Sequence, residues 1–264
     1  MEIIAEIGQN HNGDLELACE LIKKAKSCGA DVAKFQLYDA KKLFPKEGNE
    51  WYEYNCNTEL TFEDIKVLDN VCKDVEIEFM ASVFDVERIG WLEDLNVKRY
   101  KIASRSIHEE HLINAVTKTR KPVLISLGMW NQESFPSYAG DIYYLYCISK
   151  YPTPLNELDF SKIDFSSYAG FSDHTEGVVA PITALARGAK IIEKHFTIDK
   201  SMYGPDHSGS MTPDELIEIC NQYGIEFLSS GFDIESLNFL GTLNLNRIKI
   251  PSGEITNIPY LRKV

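Results

Sequence analysis

The most constraining feature of this chain is a regular alternation of short apolar runs with segments of helical periodicity. The runs of strand length are Ile3–Ile7, Val32–Leu37, Glu78–Phe84, Arg99–Ala103, Val123–Leu127, Tyr143–Ile148, Tyr168–Ser172 and Lys190–Phe196. Between them, apolar residues share one helical face in Asp14–Ser27, Thr61–Cys72, Val86–Leu95, Glu109–Lys118 and Val178–Arg187. This alternation predicts an α/β fold of the closed (β/α)8 barrel type, also called a TIM barrel.

The alternative architecture is a doubly wound open sheet. A barrel is favoured because polar residues end nearly every predicted strand, and because no Gly-x-Gly-x-x-Gly turn follows the first one. Asp14 follows the first loop and is placed to cap the next helix. The stretch from Tyr38 to Glu59 is polar, rich in aromatic residues and without clear periodicity. Such a stretch is typical either of a lid over a site or of an ordered surface loop.

Composition narrows the function. The formal net charge of −13 argues against binding to nucleic acid or to an anionic membrane surface, and it means that an anionic substrate needs a local cationic pocket. No apolar run reaches the length of a membrane span, and the first residues lack the basic start of a secretory signal. The 6 cysteines include no Cys-x-x-Cys pair, which disfavours structural zinc and favours reduced thiols. We therefore expect a cytoplasmic enzyme.

The end of the chain repeats an earlier part of it. Glu226–Asp233 echoes Glu78–Asp85, and Arg247–Glu254 echoes Arg99–Ser106. The repeated part corresponds to the third and fourth βα units, so it is surplus to a barrel that already has all its strands. We predict a barrel over residues 1–215 and a partial repeat over residues 216–264 that resembles residues 65–115. The repeat is interpreted as a truncated second barrel, as a recombination or assembly join, or as a segment that exchanges with the first copy.

Two histidines each end a predicted strand. His174 and His195 follow the seventh and eighth apolar runs, and Ser172 and Glu193 stand two residues before them on the same strand face. Neutral imidazoles at neighbouring strand ends are natural ligands of a divalent metal. The alternative is a pair of hydrogen-bonded structural histidines.

Lysine is an unexpected residue inside a strand. Lys34 shares a strand face with Gln36, and Lys101 lies in the fourth strand. Each lysine either extends along apolar surface to reach water or points into a polar cavity as a ligand for phosphate or carboxylate. Because the net charge is strongly negative, an anionic substrate needs a local cation, and this need favours the second interpretation.

Two carboxylates belong to segments that contribute to the active-site end of a barrel. Asp206 follows the last strand within Gly204-Pro-Asp-His207 and could present its carboxylate to substrate hydroxyls. Glu6 lies inside an apolar first strand, where a carboxylate needs a partner or a perturbed pKa.

Several motifs together identify a family. They are Ala5-Glu-Ile-Gly-Gln-Asn-His-Asn-Gly13, Lys34-Phe-Gln36, Tyr151-Pro-Thr-Pro154, Gly170-Phe-Ser-Asp-His174, Glu193-Lys-His-Phe196 and Gly204-Pro-Asp206. In order and spacing the chain resembles the sialic acid synthase family over most of its length. The resemblance implies a (β/α)8 transferase that condenses phosphoenolpyruvate with an N-acylated amino sugar, usually N-acetylmannosamine, and releases phosphate. It also implies a divalent metal, Mn²⁺ or Mg²⁺, and a homodimer.

The resemblance assigns roles residue by residue. His174 and His195 match metal ligands, while Glu6 and Asp206 match carboxylates that bind the amino sugar, and Glu193 is a further active-site acid. The positions that match the phosphoenolpyruvate site are Lys34, Ser82, Lys101, Ser104 and Ser172, with Gln36 and Ser149 nearby.

The chain departs from the family on two strands. Ser106 stands where the family has a glutamate that acts in proton transfer, and Ala81-Ser-Val-Phe84 replaces Ser-Thr-Pro-Phe. The family-like Pro251-Ser-Gly-Glu254 occurs only in the repeat, and Glu254 could restore the missing acid if the repeat replaced the first copy. These departures keep two alternatives open: an impaired paralogue that binds metal or sugar without turnover, and another metal-dependent barrel aldolase.

Overall fold

The parallel strands pair in chain order, and the last pairs with the first, so the sheet closes into an eight-stranded barrel as predicted. The computed structural model describes residues 1–221, 238, 250 and 257–261. The strands are β1 (Glu2–Gly8), β2 (Val32–Leu37), β3 (Glu78–Val83), β4 (Tyr100–Ile102), β5 (Val123–Ser126), β6 (Ile142–Cys147), β7 (Gly170–Asp173) and β8 (Ile191–His195).

The helices that begin at a side-chain cap include those that follow Asp14, Asp39, Thr61 and Asp85. The Asp14 carboxylate accepts hydrogen bonds from the amides of Glu16 and Leu17, as its position after the first loop predicts. The helices are α1 (Leu15–Ser27), α2 (Ala40–Leu43), α3 (Tyr52–Asn57), α4 (Phe62–Asp74), α5 (Val86–Asp94), α6 (Glu110–Thr117), α7 (Val179–Ala186), α8 (Pro213–Asn221) and α9 (Ile258–Leu261). Among the described residues, none of the helices is long and apolar enough to span a membrane.

In the described part of the chain, no α-helix lies between β5 and β7. Within residues 1–221, β5 connects to β6 through a loop, and β6 connects to β7 through the 3₁₀ turns Leu155–Glu157 and Phe160–Lys162. Aromatic rings cover the strands there: Phe135 packs on Tyr144 and Tyr168, with ring centroids 5.1 and 4.8 Å apart. Large rings therefore partly cover the outer face of β6, whose outward side chains are half-buried.

The barrel interior is layered because strand side chains alternate. An apolar layer crosses the middle of the barrel and consists of Ile4, Val32, Met80, Leu124, Leu145 and Ile191. Two residues further along the same strands come polar side chains: Glu6, Lys34, Ser82, Ser126, Cys147 and Glu193. The polar layer thus lies at the carboxyl ends of the strands and has an apolar floor.

The stretch from Tyr38 to Glu59 is ordered and contains two short helices that the sequence did not predict. Helices α2 and α3 have 4 and 6 residues, too few to show a helical period. Tyr38 and Tyr54 are buried, and the Gln9 side chain donates to the Tyr38 hydroxyl at 2.6 Å. Contacts with the rest of the barrel mouth therefore hold this segment in place.

The chain divides into two compact units, Met1–Cys220 and Asn221–Val264. Helix α8 begins like α4: Thr212 and Glu215 exchange backbone and side-chain hydrogen bonds, as Thr61 and Asp64 do. The predicted repeats at 226–233 and 247–254 lie outside the described residues apart from Ile250, so the partial repeat stays a prediction.

Candidate active site

A cleft of about 390 Å³ opens at the carboxyl ends of the strands, above the apolar layer. Ten of the predicted site residues line it: Glu6, Lys34, Gln36, Ser82, Lys101, Ser104, Ser172, His174, Glu193 and His195. The remaining two lie next to it. Ser149 donates from its hydroxyl to the Ser104 hydroxyl at 2.9 Å, and Asp206 lines an adjoining cleft. The fold therefore brings all the predicted site residues to one end of the barrel.

Two lysines and two glutamates form the charged centre of this first cleft. Lys34 Nζ lies 2.7 Å from Glu6 Oε2 and 3.5 Å from Glu193 Oε2. Lys101 Nζ lies 3.5 Å from Glu193 Oε1 and donates to the Ser126 hydroxyl at 2.8 Å. All four charged side chains are buried. Glu193 thus lies between two ammonium groups without a close contact to either.

Burial and charge act against each other at these groups. Burial opposes ionisation of Glu193, but Lys101 and Lys34 outweigh it and lower the pKa of that carboxyl to about 2. For Lys34, burial is likewise outweighed, and its carboxylate neighbours raise its pKa. For Lys101, burial dominates and lowers the pKa below the ordinary lysine value. Of the two lysines, Lys101 is the one whose charged form the protein stabilises less. An anion that enters the cleft would therefore stabilise the Lys101 cation.

Neutral partners fix the orientation of both carboxylates. Gln36 Nε2 donates to Glu6 Oε1 at 2.9 Å, and the Ser172 hydroxyl donates to Glu193 Oε1 at 2.8 Å. Each bond joins neighbouring strands, and each uses residues that alternation places inside the barrel. The second oxygen of Glu193 has no hydrogen-bond partner, although Lys34 faces it.

A pair of hydroxyls, from Ser104 and Ser149, lies at the edge of the cleft, which Ser104 lines. The Ser104 hydroxyl accepts from the Met129 amide at 2.7 Å and from the Ser149 hydroxyl. Gly128 is needed beside this pair: a Cβ there would lie 2.6 Å from Ser149 Oγ and 3.0 Å from Ser104 Oγ. The absent side chain leaves room for hydroxyl groups that can hold an oxyanion.

The two imidazoles face each other across the top of the cleft, with ring centroids 6.0 Å apart. His174 Nδ1 lies 2.7 Å from the Ile148 carbonyl oxygen, which can only accept, so Nδ1 carries the proton and Nε2 keeps its lone pair. Burial, followed by the neighbouring His195, lowers the pKa of His174 to about 3. The ring is therefore a neutral ligand with a fixed tautomer.

His195 is less constrained. Among the residues that the structure describes, its buried Nδ1 has no hydrogen-bond partner, and it lies 3.9 Å from Asp206 Oδ2. Two such imidazoles suit a divalent cation that keeps open coordination positions. Within the described part of the chain, no group of three or more histidine, cysteine, aspartate or glutamate side chains is arranged to hold a metal ion. A cation held by this pair would take its other ligands from water or substrate.

A second cleft of about 330 Å³ adjoins the first. The two share His174, His195 and Tyr151, whose ring centroid is 4.0 Å from that of His174. Asp206 lines the second cleft beside two prolines and the small residues Ser208 and Gly209. One compartment is therefore charged and deep, the other is less charged, and the histidines stand between them.

Six residues that line the first cleft were not among the predicted site residues: Ala103, Ser126, Cys147, Tyr151, Asp173 and Lys194. Ser126 and Cys147 each lie two residues beyond an apolar inward residue, so strand alternation could have placed both in the polar layer. Tyr151 belongs to a quoted motif, but its contact with His174 depends on two segments meeting in the fold.

Ser106, which follows β4 and replaces the family glutamate, does not line either cleft. Its side chain is buried, and its hydroxyl donates to Glu109 Oε1 at 2.9 Å. Next to it, exposed Arg105 lies over the rings of Phe44 and Phe84, at 5.2 and 6.0 Å from their centroids. Ser106 thus helps to orient the start of α6.

Comparisons with known proteins agree with this geometry. The pattern of the NeuB family matches residues 21–222 and, a second time, residues 214–264. The chain is 37% identical to N,N'-diacetyllegionaminic acid synthase of Legionella pneumophila, covering 81% of this chain and 68% of that protein. It is 30% identical to human N-acetylneuraminate-9-phosphate synthase, covering 98% and 81%. A sialic acid synthetase structure from Leptospira borgpetersenii, in complex with citrate, superposes with a TM-score of 0.76 at 28% identity, covering 98% of this chain and 90% of that one.

Proposed function

The chain belongs to the NeuB family, and from that premise we propose that it condenses phosphoenolpyruvate with an N-acylated amino sugar and releases phosphate. The product would be a nonulosonic acid of the sialic acid type. The amino sugar would be N-acetylmannosamine or a related N-acyl hexosamine, since relatives named for legionaminic acid and for N-acetylneuraminate 9-phosphate both match this chain.

The observation that carries this proposal is the pair of clefts that meet at His174 and His195. A condensation needs two substrates whose reacting carbons come together while the rest of each molecule is held apart. The first cleft is deep and cationic on one side, and the second is lined by a carboxylate and small residues. This division suits a small phosphorylated acid in the first cleft and a sugar in the second.

In the first cleft, Lys34 and Lys101 would neutralise the charges of phosphoenolpyruvate. The hydroxyls of Ser104, Ser149 and Ser172 would donate to its oxygens. Ser104 and Ser149 share one hydrogen bond in the free protein, so one hydroxyl can turn to a ligand without leaving a buried donor unpaired. When the bound anion contacts Lys34 and Lys101, Glu193 would lose its contacts with these lysines. Its carboxylate would then move toward His195 or accept a proton.

In the second cleft, Asp206 would accept hydrogen bonds from sugar hydroxyls, and Glu6 would approach the sugar from the first cleft. The enol carbon of phosphoenolpyruvate would bond to the aldehyde carbon of the open-chain sugar, and the aldehyde oxygen would take up a proton as its π bond breaks. Water would then add to the cationic carbon that still carries the phosphate ester and give up a proton, and the tetrahedral intermediate would collapse to a ketone as phosphate leaves. Glu193 and Glu6, which both line the first cleft, would accept the proton that the water releases.

We also propose that His174 and His195 hold Mn²⁺ or Mg²⁺. The support is the proton of His174 on the nitrogen that faces Ile148 and the unpartnered buried nitrogen of His195. A bound divalent cation would supply Lewis-acid polarisation of the sugar aldehyde.

A homodimer and a cytoplasmic location are further proposals. The 6 cysteines are all free thiols, which is consistent with a reducing compartment.

Turnover tests the proposal directly. The purified chain is mixed with Mn²⁺, phosphoenolpyruvate and a panel of hexosamines that includes N-acetylmannosamine, its 6-phosphate and diacetylated analogues. We expect phosphate release that requires both a sugar and the metal, and that a chelator abolishes. Products made from pyruvate in place of phosphoenolpyruvate would instead identify an aldolase.

A second candidate, an impaired paralogue that binds metal or sugar without turnover, is favoured by Ser106 in place of the family glutamate. Loss of a general acid or base costs about 10²–10⁴-fold in rate. The double variant Arg105→Gly with Ser106→Glu restores the family motif and separates the candidates. If the wild type is inactive and the variant releases phosphate, the chain is an impaired synthase; if neither is active, the missing glutamate is not the defect.

A further inference from the structure

A set of hydrogen bonds outside both clefts joins the loop that carries Asp206 to two other segments at the barrel mouth. Asn12 Oδ1 accepts from the Tyr54 hydroxyl at 2.7 Å and from His207 Nε2 at 3.0 Å. Asn12 lies in the loop after β1, Tyr54 lies in α3, and His207 directly follows Asp206. One amide oxygen therefore ties three segments together.

The His207 ring is held at both nitrogens. It is fully buried, and because the Asn12 oxygen can only accept, Nε2 carries the proton. His207 Nδ1 lies 2.7 Å from the Thr197 hydroxyl and accepts from it. Thr197 stands at the start of the same loop, two residues after His195. The ring thus fixes the loop of residues 197–207 against Asn12.

A second anchor acts on the backbone of Asp206. Its carbonyl oxygen accepts from the Ser210 hydroxyl at 2.7 Å, and Asn10 Nδ2 donates to the same hydroxyl at 2.9 Å. Asn10 Nδ2 also donates to the Phe196 carbonyl at 2.9 Å. The loop after β1 therefore holds the Asp206 loop at two points, through Asn10 and through Asn12.

Close packing accompanies these bonds. Gly204 has a φ of +151°, and a Cβ there would lie 2.6 Å from Tyr54 Oη and 2.8 Å from His207 Cδ2. Only glycine lets the chain pass this close to both rings. The Tyr54 hydroxyl also lies 2.9 Å from the Gln9 carbonyl oxygen, which can share its single proton, so the tyrosine has a fixed position of its own. The loop is thus packed against a tyrosine that is itself anchored.

We propose that Asn12, Tyr54 and His207 are positioning residues that set the affinity for the amino sugar by fixing Asp206. None of the three lines either cleft, so they act through Asp206, whose Oδ2 lies 3.9 Å from His195 Nδ1. The effect is confined to the second cleft, because the groups assigned to phosphoenolpyruvate lie in or beside the first. This inference rests on the proposed function, since it takes Asp206 as a sugar ligand.

The kinetic test compares Asn12→Ala, Asn12→Asp and Tyr54→Phe with the matched control Tyr203→Phe. Tyr203 packs on Tyr54 with ring centroids 5.9 Å apart, and its hydroxyl makes no hydrogen bond within the described part of the chain. We expect Asn12→Ala to raise KM for the amino sugar roughly 10- to 100-fold and Tyr54→Phe to raise it about fivefold. KM for phosphoenolpyruvate should stay within about twofold. Asn12→Asp keeps the accepting oxygen and should restore most of the sugar affinity, and Tyr203→Phe should match the wild type.

A purely structural role would raise both KM values together, and either that result or unchanged sugar KM in Asn12→Ala would overturn the inference. Hydrogen–deuterium exchange provides an independent readout. Amides of residues 197–210 should exchange faster in Asn12→Ala and at the wild-type rate in Asn12→Asp. If the wild type shows no sugar-dependent phosphate release, the proposed function fails, and the exchange rates alone decide whether Asn12 fixes this loop.

Discussion

The two ends of the barrel hold similar charges in different ways. At the amino ends of the strands, the Arg99 guanidinium lies 2.6 Å from Glu2 and 2.8 Å from Glu78. At the carboxyl ends, Glu193 lies 3.5 Å from both Lys34 and Lys101. The apolar layer separates the two sets. At the amino ends the charges of this set close onto one another. At the carboxyl ends Lys34 and Glu6 also close, at 2.7 Å, whereas Glu193 stays 3.5 Å from both lysines.

The burial of these charged side chains helps to explain why the two ends differ. The side chains of Lys34 and Lys101 are each 2% exposed, whereas that of Arg99 is 16% exposed. Selection for stability alone would pair the most buried charges most tightly, because an incompletely paired buried charge is costly. Lys34 and Glu6 follow this rule, but Glu193 and Lys101 are also buried and lie 3.5 Å apart. We therefore expect the long contacts of Glu193 to serve binding and the short contacts of Arg99 to serve folding.

The sharpest way to break this comparison is Lys101→Met, which removes a charge from the carboxyl end while nearly keeping its volume. We expect kcat/KM for phosphoenolpyruvate to fall about 10³-fold, because a preorganised cation in a water-poor cleft is lost. The free energy of unfolding should fall less than in Arg99→Met, because the burial cost of the Lys101 cation is removed and Glu193 keeps Lys34 as a charged neighbour. Steady-state kinetics and urea unfolding measure the two effects. A large loss of stability with little loss of activity would reverse the assignment.

Arg99→Met is the counterpart at the amino end. It leaves Glu2 and Glu78 without their shared cation, and we expect unfolding free energy to fall by about 2 kcal/mol, a value reduced for partial exposure. The folded fraction should keep wild-type kcat/KM. Activity measured per folded molecule, with folding followed by circular dichroism, checks this. A change in KM for phosphoenolpyruvate would show that the two ends are coupled.

A smaller effect is expected from Gly128→Ala, which places a methyl group against Ser149 and Ser104. KM for phosphoenolpyruvate should rise about tenfold, because the two hydroxyls must move away from their binding geometry. The matched control is Gly90→Ala in α5, where a Cβ meets no atom within 4 Å. That variant should leave KM unchanged and stabilise the fold by about 0.5–1 kcal/mol through helix propensity. Equal KM values in the two variants would remove the hydroxyl pair from the binding site.

The barrel and the polar layer could be predicted from the sequence because both rest on a period of two. Strand β2 has the predicted bounds, Val32–Leu37, and β4 is shorter than predicted, Tyr100–Ile102. The rule that side chains alternate places Glu6 and Lys34 inside the barrel once Ile4 and Val32 are recognised as apolar inward residues. For these features, the local pattern of apolar and polar residues is sufficient for the prediction.

The remaining features depend on contacts between distant segments. The sequence gives no local signal that Ser106 orients Glu109 rather than facing a cleft, or that α2 and α3 form. The bond between Asn10 and Ser210 joins residues 200 positions apart. Such contacts exist only after the barrel closes, so they could not be predicted from spacing or propensity.

Calorimetric titration of phosphoenolpyruvate tests the central claim most directly, because it needs no knowledge of the sugar. The wild type should bind one molecule per chain, Arg99→Met should bind with the same Kd, and Lys101→Met should bind at least about tenfold more weakly. Equal affinity in wild type and Lys101→Met, or no binding to any of the three, would contradict the claim that the loosely paired charges at the carboxyl ends of the strands form the anion site.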